Sequence, residues 1–327
     1  MQYRQLGHLG PRVSEIGFGG WALGGQWGAQ DDADSIAALN RAIDLGVNFI
    51  DTAAGYGDGR SERLIAEVAK QRSEQLFIAT KTPPADGPWP PSPYCAWQDR
   101  YSANYLRENI EQRLRNLQVE RIDLLQLHTW TRAWNDDPQP LLVLRKLREE
   151  GKIGMIGIST PEQDQNCVIQ LMRDGLVDCV QVIFNLFDQE PAAQLLPVAE
   201  ETGTGVIVRV ALDEGMLAGK FTAEHRFADD DFRQQYFAGD RLPRSVDRVA
   251  EIANDMHRFG LQDYSVADLA IKFALSASGV GSVITGIRSA EQAELNAAVS
   301  DKPAVPDTLL HLLRRHNWRR GVWYAGK

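Results

Sequence analysis

Four side chains with complementary acid–base chemistry stand at or just after short apolar runs of the sequence. Asp51 ends the run VNFID, and Tyr56 follows it in DTAAGYGDG. Lys81 ends LFIATK, and His128 ends IDLLQLH. An acid, a phenol, a lysine and a histidine in such positions indicate a site that moves a proton to or from an oxygen atom.

The phenol is the natural proton donor of this set, but it needs tuning. Tyrosine ordinarily titrates near pH ~10, and an adjacent ammonium such as Lys81 is expected to lower the pKa of Tyr56. Asp51 is expected to keep Lys81 charged and in place, while a neutral His128 donates a hydrogen bond to a carbonyl oxygen. Such a site would stabilise and then protonate the alkoxide that forms when a hydride reaches an aldehyde or ketone carbon.

The elements that must position these residues follow a regular pattern. Short apolar runs alternate with amphipathic segments, which indicates a parallel sheet with helices over its outer face. Eight such repeats predict a (β/α)8 TIM barrel, in one domain over residues 1–327, with the site at the carboxyl ends of the strands. The predicted strands are Val13–Phe18, Val47–Asp51, Leu76–Lys81, Ile122–His128, Ile153–Ser159, Asp178–Asn185, Gly205–Val210 and Gly281–Gly286.

Three further segments have predicted places around this barrel. The N-terminal QYRQLGHLGPRVSEIG contains the turn LGPR and predicts a hairpin that closes the bottom of the barrel. Long connections follow the third strand (TPPADGPWPPSPYCAWQDR) and the seventh (about 211–241). Both are expected at the C-terminal face, where long loops usually carry function.

A glycine-rich stretch near the N-terminus, GFGGWALGGQWG, matches the dinucleotide fingerprint G-x-G-x-x-G/A only superficially. In a Rossmann turn the last glycine opens a helix, and an acidic residue follows about 20 positions on. Here no helix can begin before about Asp31, and Asp51 is too far downstream. The stretch is therefore interpreted as a loop after the first strand, with Gly20 and Trp21 facing a ligand.

Composition excludes several classes of function. The formal net charge is −9, and no cluster of Lys and Arg offers a surface for nucleic acid. No apolar run approaches the ~20 residues of a membrane helix, and no signal peptide is evident. Three cysteines without metal-binding spacing predict no metal site and favour a reducing, cytoplasmic location.

Beyond these patterns, the sequence resembles the aldo-keto reductase family over essentially its whole length. GVNFIDTAAGYGDGRSE resembles the family's second-strand signature, and IATK, IDLLQLH, REEGKIGMIGIS, DEGMLAGK and ITGIRSAEQAELN resemble its later motifs. The resemblance implies reduction of assorted aldehydes and ketones to alcohols, or the reverse oxidation, with NADPH. The implied catalytic residues are Asp51, Tyr56, Lys81 and His128.

The resemblance also implies which residues contact the cofactor. Ser159 and Gln181 are expected at the nicotinamide carboxamide, and Arg288 near the 2′-phosphate, which favours NADPH while leaving NADH open. The full predicted cofactor set is Gly20, Trp21, Asp51, Ser159, Thr160, Gln181, Arg209, Val210, Leu212, Gly215, Lys220, Gly286, Arg288, Gln292 and Asn296. The predicted substrate-binding set is Trp21, Tyr56, Trp89, Trp97, His128 and Trp130. The C-terminal WRRGVWYAGK is expected to contribute to the same pocket.

Three positions depart from the family pattern. Thr160 replaces a frequent asparagine, and Leu295 replaces a frequent acidic residue beside the adenine-binding asparagine. Arg209 stands where an aromatic ring commonly lies under the nicotinamide, so a guanidinium charge is expected beside that ring.

Alternative functions remain open at this stage. A metal-dependent barrel hydrolase needs several ligands at strand ends, and of six histidines only His128 ends a strand. A Schiff-base aldolase using Lys81 and a cofactor-binding redox sensor without turnover are the other readings. The assembly, including a homo-oligomer, and the physiological substrate are left undetermined.

Overall fold

Eight parallel strands close into a barrel in the computed structural model, which describes residues 1–25, 30–229, 231–318 and 320. A separate two-stranded hairpin, β1 (Tyr3–Gln5) and β2 (Arg12–Ser14), precedes the barrel. The barrel strands are β3 (Ile16–Gly19), β4 (Phe49–Asp51), β5 (Phe77–Thr82), β6 (Ile122–Leu127), β7 (Ile153–Ser159), β8 (Cys179–Ile183), β9 (Gly205–Arg209) and β10 (Val280–Gly286).

Helices separate the strands and cover the outer face of the barrel, as predicted for a TIM barrel. Most of them place one apolar side against the sheet, where the buried residues form a large continuous cluster. They are α1 (Asp32–Asp44), α2 (Arg60–Ala69), α3 (Gln98–Tyr101), α4 (Ala103–Leu117), α5 (Gln139–Glu149), α6 (Ile169–Arg173), α7 (Leu195–Thr202), α8 (Arg233–Tyr236), α9 (Arg241–Arg258), α10 (Val266–Ser276), α11 (Ala290–Ala298) and α12 (Asp307–Leu313).

The first predicted strand, Val13–Phe18, is wrong as a single element. The structure divides it at Glu15, so that Val13 belongs to the hairpin and Phe18 to the barrel. The buried carboxylate of Glu15 accepts a hydrogen bond from Arg4 Nε at 2.8 Å and another from Ser300 Oγ at 2.9 Å. These bonds fix the chain where it leaves one sheet and enters the other.

The hairpin closes the bottom of the barrel, as the LGPR turn predicts. Leu6 and Val13 are fully buried and pack against Phe49, Leu124 and Met155 inside the barrel. This layer fills the amino-terminal end of the strands, so the open end of the barrel is the carboxyl end. Within the described ranges, no helix is both long and apolar enough to cross a membrane.

Candidate active site

The second and third barrel strands bring Asp51, Tyr56 and Lys81 together. Asp51 ends β4 and pairs in register with Ala79 of β5, and Lys81 lies two residues further along the same inward face. Beyond β4 the chain keeps its contact with β5, because the amide of Ala54 donates to the carbonyl of Lys81 at 3.0 Å. Tyr56 follows in this turn, and its hydroxyl lies 3.3 Å from Lys81 Nζ.

The glycine that follows Tyr56 fixes the turn against the loop after the first barrel strand. Gly57 has a φ of +61°, a conformation that side-chain-bearing residues rarely adopt. A Cβ at this position would lie 2.6 Å from the carbonyl oxygen of Gly24. The close approach of these two backbones holds the tyrosine at the mouth of the barrel.

Asp51 and Lys81 form a buried ion pair beneath the tyrosine. Both side chains are 1% exposed, and Lys81 Nζ donates to Oδ1 of Asp51 and to the carbonyl of Thr52, the latter at 2.9 Å. The second carboxylate oxygen accepts from Gln181 Nε2 at 2.8 Å and from Gln126 Nε2 at 3.2 Å. Both carboxylate oxygens of Asp51 thus accept hydrogen bonds, as a buried charge requires.

The predicted lowering of the Tyr56 pKa is wrong for the protein without ligands. Burial removes the phenolate from water and raises the pKa of Tyr56, and the opposing effect of Lys81 is smaller. Burial also disfavours the ammonium of Lys81, but Asp51 and Tyr56 together outweigh it and raise the pKa of Lys81. Tyr56 is therefore a protonated phenol and Lys81 an ammonium at neutral pH.

His128 follows β6 and faces the tyrosine across the mouth of the barrel. The two rings are 5.9 Å apart between centroids and meet edge to face at 74°. Burial, followed by the charges of Lys81 and Arg209, holds the pKa of His128 well below its ordinary value. The imidazole is neutral at physiological pH, so one ring nitrogen can donate a hydrogen bond, as the sequence predicts.

A cavity of about 1770 Å³ opens above these residues. Tyr56, His128 and Asp51 line the cavity. Lys81 is not among the lining residues; it lies beneath Tyr56, to which its ammonium donates a hydrogen bond. Trp21 and Trp89 form walls at this end, with Trp89 5.7 Å from the His128 ring. The whole predicted cofactor set also lines the cavity: Gly20, Trp21, Asp51, Ser159, Thr160, Gln181, Arg209, Val210, Leu212, Gly215, Lys220, Gly286, Arg288, Gln292 and Asn296.

Two tryptophans predicted to bind substrate lie away from the cavity lining. Trp130 is 1% exposed, and its indole donates to Asn135 Oδ1 at 2.8 Å and packs edge to face on Trp134. Trp97 turns towards Asp137 Oδ2, to which its indole donates at 2.8 Å. The prediction that Trp130 binds substrate is wrong, because this side chain, three residues past β6, folds back into the core. Of the C-terminal WRRGVWYAGK, all but Trp318 and Arg320 lies outside the described residues.

The connection after β9 has an unusual backbone. Val210, Asp213 and Glu214 adopt left-handed conformations with φ between +49° and +56°, each of which costs about 1–2 kcal/mol for an L-residue. The carbonyl of Val210 accepts from Asn185 Nδ2 at 2.9 Å, which helps to hold the bend. Such strain clusters where a chain is shaped for a ligand, and Val210, Ala211, Leu212, Glu214 and Gly215 line the cavity.

Arg209 reaches into the catalytic end of the cavity. One terminal nitrogen donates to the carbonyl of Thr160 at 3.1 Å, and the other lies 3.7 Å from Glu162 Oε1. Glu162 was not predicted from the sequence, and it shares the guanidinium charge that otherwise acts on Tyr56 and His128.

The far end of the cavity is cationic and lies beside the start of α11. The amide of Arg288 donates to Gln292 Oε1 at 2.8 Å, and its Nε donates to Gln30 Oε1 at 3.0 Å. Asn296 Nδ2 donates to Thr285 Oγ1 at 3.0 Å. Lining residues that sequence reasoning missed include Phe232, whose ring lies 5.4 Å from that of Trp21, as well as Arg233, Tyr236, Arg241 and Lys302.

The cavity suits a nicotinamide dinucleotide together with a small substrate. Ordinary ligand cavities hold roughly 300–1,000 Å³, and this one is larger and runs from the acid–base group to the cationic end. Lys220 and Arg288 line the cavity, and such cationic side chains suit the phosphates of a dinucleotide. The end lined by Tyr56 and His128 is therefore suited to the nicotinamide half of such a cofactor, and the basic end near Arg288 to its phosphate-bearing adenosine half.

Comparisons with known proteins agree with this geometry. The model of the aldo/keto reductase family matches residues 15–312. Aldo-keto reductase YhdN of Bacillus subtilis (strain 168) is 30% identical over 308 residues, which cover 90% of this chain and 87% of that protein. The NADH-specific methylglyoxal reductase of Escherichia coli (strain K12) is 25% identical, over 90% of this chain and 91% of that protein.

Among solved structures, the glycerol dehydrogenase AKR11B4 from Gluconobacter oxydans has the same fold. It superimposes with a TM-score of 0.78 at 24% identity, covering 96% of this chain and 94% of that one. The chain belongs to the aldo-keto reductase family, whose members are oxidoreductases that use nicotinamide cofactors and act on small carbonyl compounds.

Proposed function

We propose that this protein reduces small aldehydes or ketones with NADPH, and catalyses the reverse oxidation, with Tyr56 as the proton donor. The observation that carries the proposal is the placement of the Tyr56 hydroxyl. It lines the cavity 3.3 Å above the Lys81 ammonium and faces a neutral His128. A carbonyl oxygen between the phenol and the imidazole would meet two hydrogen-bond donors.

The chain's own residues handle the oxygen and its proton. The imidazole of His128 orients the carbonyl by donating a hydrogen bond, which also polarises the C=O bond. When bound, the reduced nicotinamide supplies a hydride to the carbonyl carbon. As negative charge moves to oxygen, the Tyr56 hydroxyl transfers its proton there. The resulting phenolate is stabilised by the Lys81 ammonium until solvent reprotonates it, and Asp51 holds that ammonium in place.

The same proposal assigns the remaining lining residues to parts of the cofactor. Ser159, Thr160 and Gln181 would hold the nicotinamide carboxamide, and the 210–220 connection with Lys220 would hold the pyrophosphate. Gln292 and Asn296 would contact the adenosine half, and Arg288 supports a 2′-phosphate and hence NADPH. The E. coli relative is named as NADH-specific, so NADPH and NADH should be compared directly in the same assay.

The aldolase alternative has less support. A Schiff-base lysine must be a free amine that reaches the substrate. Lys81 lies beneath the cavity lining, and its partners raise its pKa, which keeps it protonated. A non-catalytic redox sensor would bind the cofactor without needing the complete acid–base group.

A panel of aliphatic, aromatic and hydroxylated carbonyl compounds, assayed at the near-ultraviolet absorbance of NADPH and of NADH, tests this function. We expect carbonyl-dependent oxidation, with NADPH giving the larger kcat/KM. Quenching of tryptophan fluorescence by NADPH without turnover of any carbonyl would instead favour the sensor. Borohydride trapping of a substrate on Lys81 would favour the aldolase.

A further inference from the structure

Arg320, near the C-terminus, forms a buried ion pair with the connection after β9. Two guanidinium nitrogens of Arg320 lie 2.8 and 2.7 Å from the two carboxylate oxygens of Asp213, 107 residues earlier. The side chains are 3% and 0% exposed. Arg320 also donates to the hydroxyl of Tyr236 at 3.1 Å. Arg320 Nη1 thus donates a hydrogen bond to Asp213 Oδ2, and Nη2 makes a second ion-pair contact with Oδ1.

Asp213 occupies the middle of the strained connection after β9. Its neighbours Leu212, Glu214 and Gly215 line the cavity, whereas Asp213 itself points away from it. The residue has a φ of +49°, a conformation that L-residues rarely adopt, and its side chain is fully buried. A contact on the Asp213 side chain therefore bears directly on the backbone of the neighbouring residues that line the cavity.

The segment that carries Arg320 is anchored before it reaches Asp213. The amide of Trp318 donates to the carbonyl of Phe187 at 2.8 Å, and the two rings meet edge to face at 5.7 Å. One turn earlier, His316 Nε2 lies 2.8 Å from Oδ2 of the buried Asp255. His316 and Trp318, described residues shortly before Arg320, are thus held against the rest of the fold.

We propose that Arg320 is a positioning residue, which clasps residues 210–215 in the shape that binds the dinucleotide. The inference rests on the proposed function, since it assumes that this wall contacts the cofactor. Without the guanidinium, the Asp213 carboxylate is left buried and unpaired, and the cheapest relief is to turn it towards water. That movement rotates the strained backbone and displaces the lining residues Leu212, Glu214 and Gly215 from the cofactor. Binding of substrate at the opposite, aromatic end should change little.

Titration of NADPH by fluorescence quenching tests the clasp without any turnover. We expect Arg320→Ala to weaken NADPH binding at least tenfold, and Arg320→Lys, which can pair with one carboxylate oxygen, to recover part of it. Arg314→Ala removes an exposed arginine of the same segment and serves as the control, expected within twofold of wild type. At saturating NADPH, the KM for a carbonyl substrate should stay within about twofold in Arg320→Ala.

A double-mutant cycle with Asp213→Asn completes the test. If the pair acts as one unit, Asp213→Asn combined with Arg320→Ala binds NADPH no more weakly than Arg320→Ala alone. Should Arg320→Ala lose its native circular dichroism spectrum, Asp213→Asn, which keeps the size of the side chain, carries the same expectation. NADPH affinity within twofold of wild type in a folded variant overturns the clasp. Failure of the wild-type protein to bind NADPH or NADH overturns the proposed function instead.

Discussion

The hydroxyl of Tyr56 lies 3.3 Å from the Nζ of Lys81, although 25 residues separate them in the sequence. The contact exists because the turn after β4 continues to pair with β5, which carries Lys81. It places a phenol on the cavity surface and its stabilising cation beneath it, out of reach of substrate. The ammonium can therefore act only through the tyrosine.

Alcohol oxidation should depend on pH more steeply than carbonyl reduction does. Reduction needs the Tyr56 phenol, which is present at all pH values below a pKa that burial raises above the ordinary value. Oxidation needs the phenolate, whose fraction rises with pH. We expect kcat/KM for reduction to be flat from pH 6 to 8, while that for oxidation rises about tenfold per pH unit over the same range.

Removing the Lys81 ammonium should slow alcohol oxidation more than carbonyl reduction. Lys81→Met deletes the charge that stabilises the phenolate, so the pKa of Tyr56 should rise further. We expect both directions to lose at least 100-fold in kcat, with the larger loss in oxidation. Equal losses at every pH would mean that Lys81 has only a structural role.

The neutral state of His128 predicts no loss of reduction at mildly acidic pH. Its pKa lies well below the ordinary value, so the imidazole stays uncharged as pH falls from 8 to 6. His128→Gln, which keeps a hydrogen-bond donor, should retain more activity than His128→Ala and leave this part of the pH profile unchanged. A decrease in wild-type kcat/KM centred near pH 6.5 that disappears in His128→Gln would contradict this assignment.

The two tryptophans near the barrel mouth should behave differently when truncated. Trp130 fills the core, so Trp130→Ala is expected to cost about 3–5 kcal/mol of unfolding free energy. Trp21 lines the cavity beside Tyr56, their ring centroids being 6.5 Å apart, so Trp21→Ala should chiefly raise the KM for the carbonyl substrate. Urea denaturation and steady-state kinetics of both variants separate the two roles.

Asp188 should make the protein less stable as pH rises from 4 to 7. Burial raises its pKa to about 6, against the attraction of Arg320 and with a contribution from Asp213 and Glu190. Between the ordinary carboxyl pKa near ~4 and this value, the folded state binds more protons than the unfolded state, so stability falls with increasing pH.

Asp188→Asn should therefore stabilise the protein at pH 8 by about 3 kcal/mol, and most of this gain should be lost at pH 4. Thermal denaturation at both pH values measures it, with the exposed Asp136→Asn as control. A gain that is equal at the two pH values would mean that the carboxylate's charge is not responsible.

Much of the fold can be predicted from the sequence, because eight apolar runs separated by helical segments are typical of a closed parallel barrel. The strand ends also identified Asp51, Lys81 and His128. The split at Glu15 escaped this reasoning, since an apolar run does not show where a chain changes sheets. Gln126 was missed although period-two alternation along β6 places it on the same inward face as His128.

Other site features depend on tertiary packing. Trp130 follows the predicted fourth strand by two residues, and nothing in the local sequence shows whether a side chain at such a position faces the cavity or the core. The sequence motif shows the charged neighbour Lys81, which lowers the pKa of Tyr56. It does not show how deeply the phenol is buried, and burial is the larger effect, so the pKa is raised. The single-domain organisation and the cytoplasmic location stay predictions.

The most direct test of the account is the rate of carbonyl reduction by Tyr56→Phe in a single turnover with bound NADPH. Removing one hydroxyl leaves the ring, the cavity wall and the cofactor contacts in place, so NADPH affinity should remain within twofold of wild type. We expect the reduction rate to fall by at least 1,000-fold, about 4 kcal/mol in barrier height. A folded Tyr56→Phe that binds NADPH and reduces the carbonyl within tenfold of the wild-type rate would contradict the assignment of Tyr56 as proton donor.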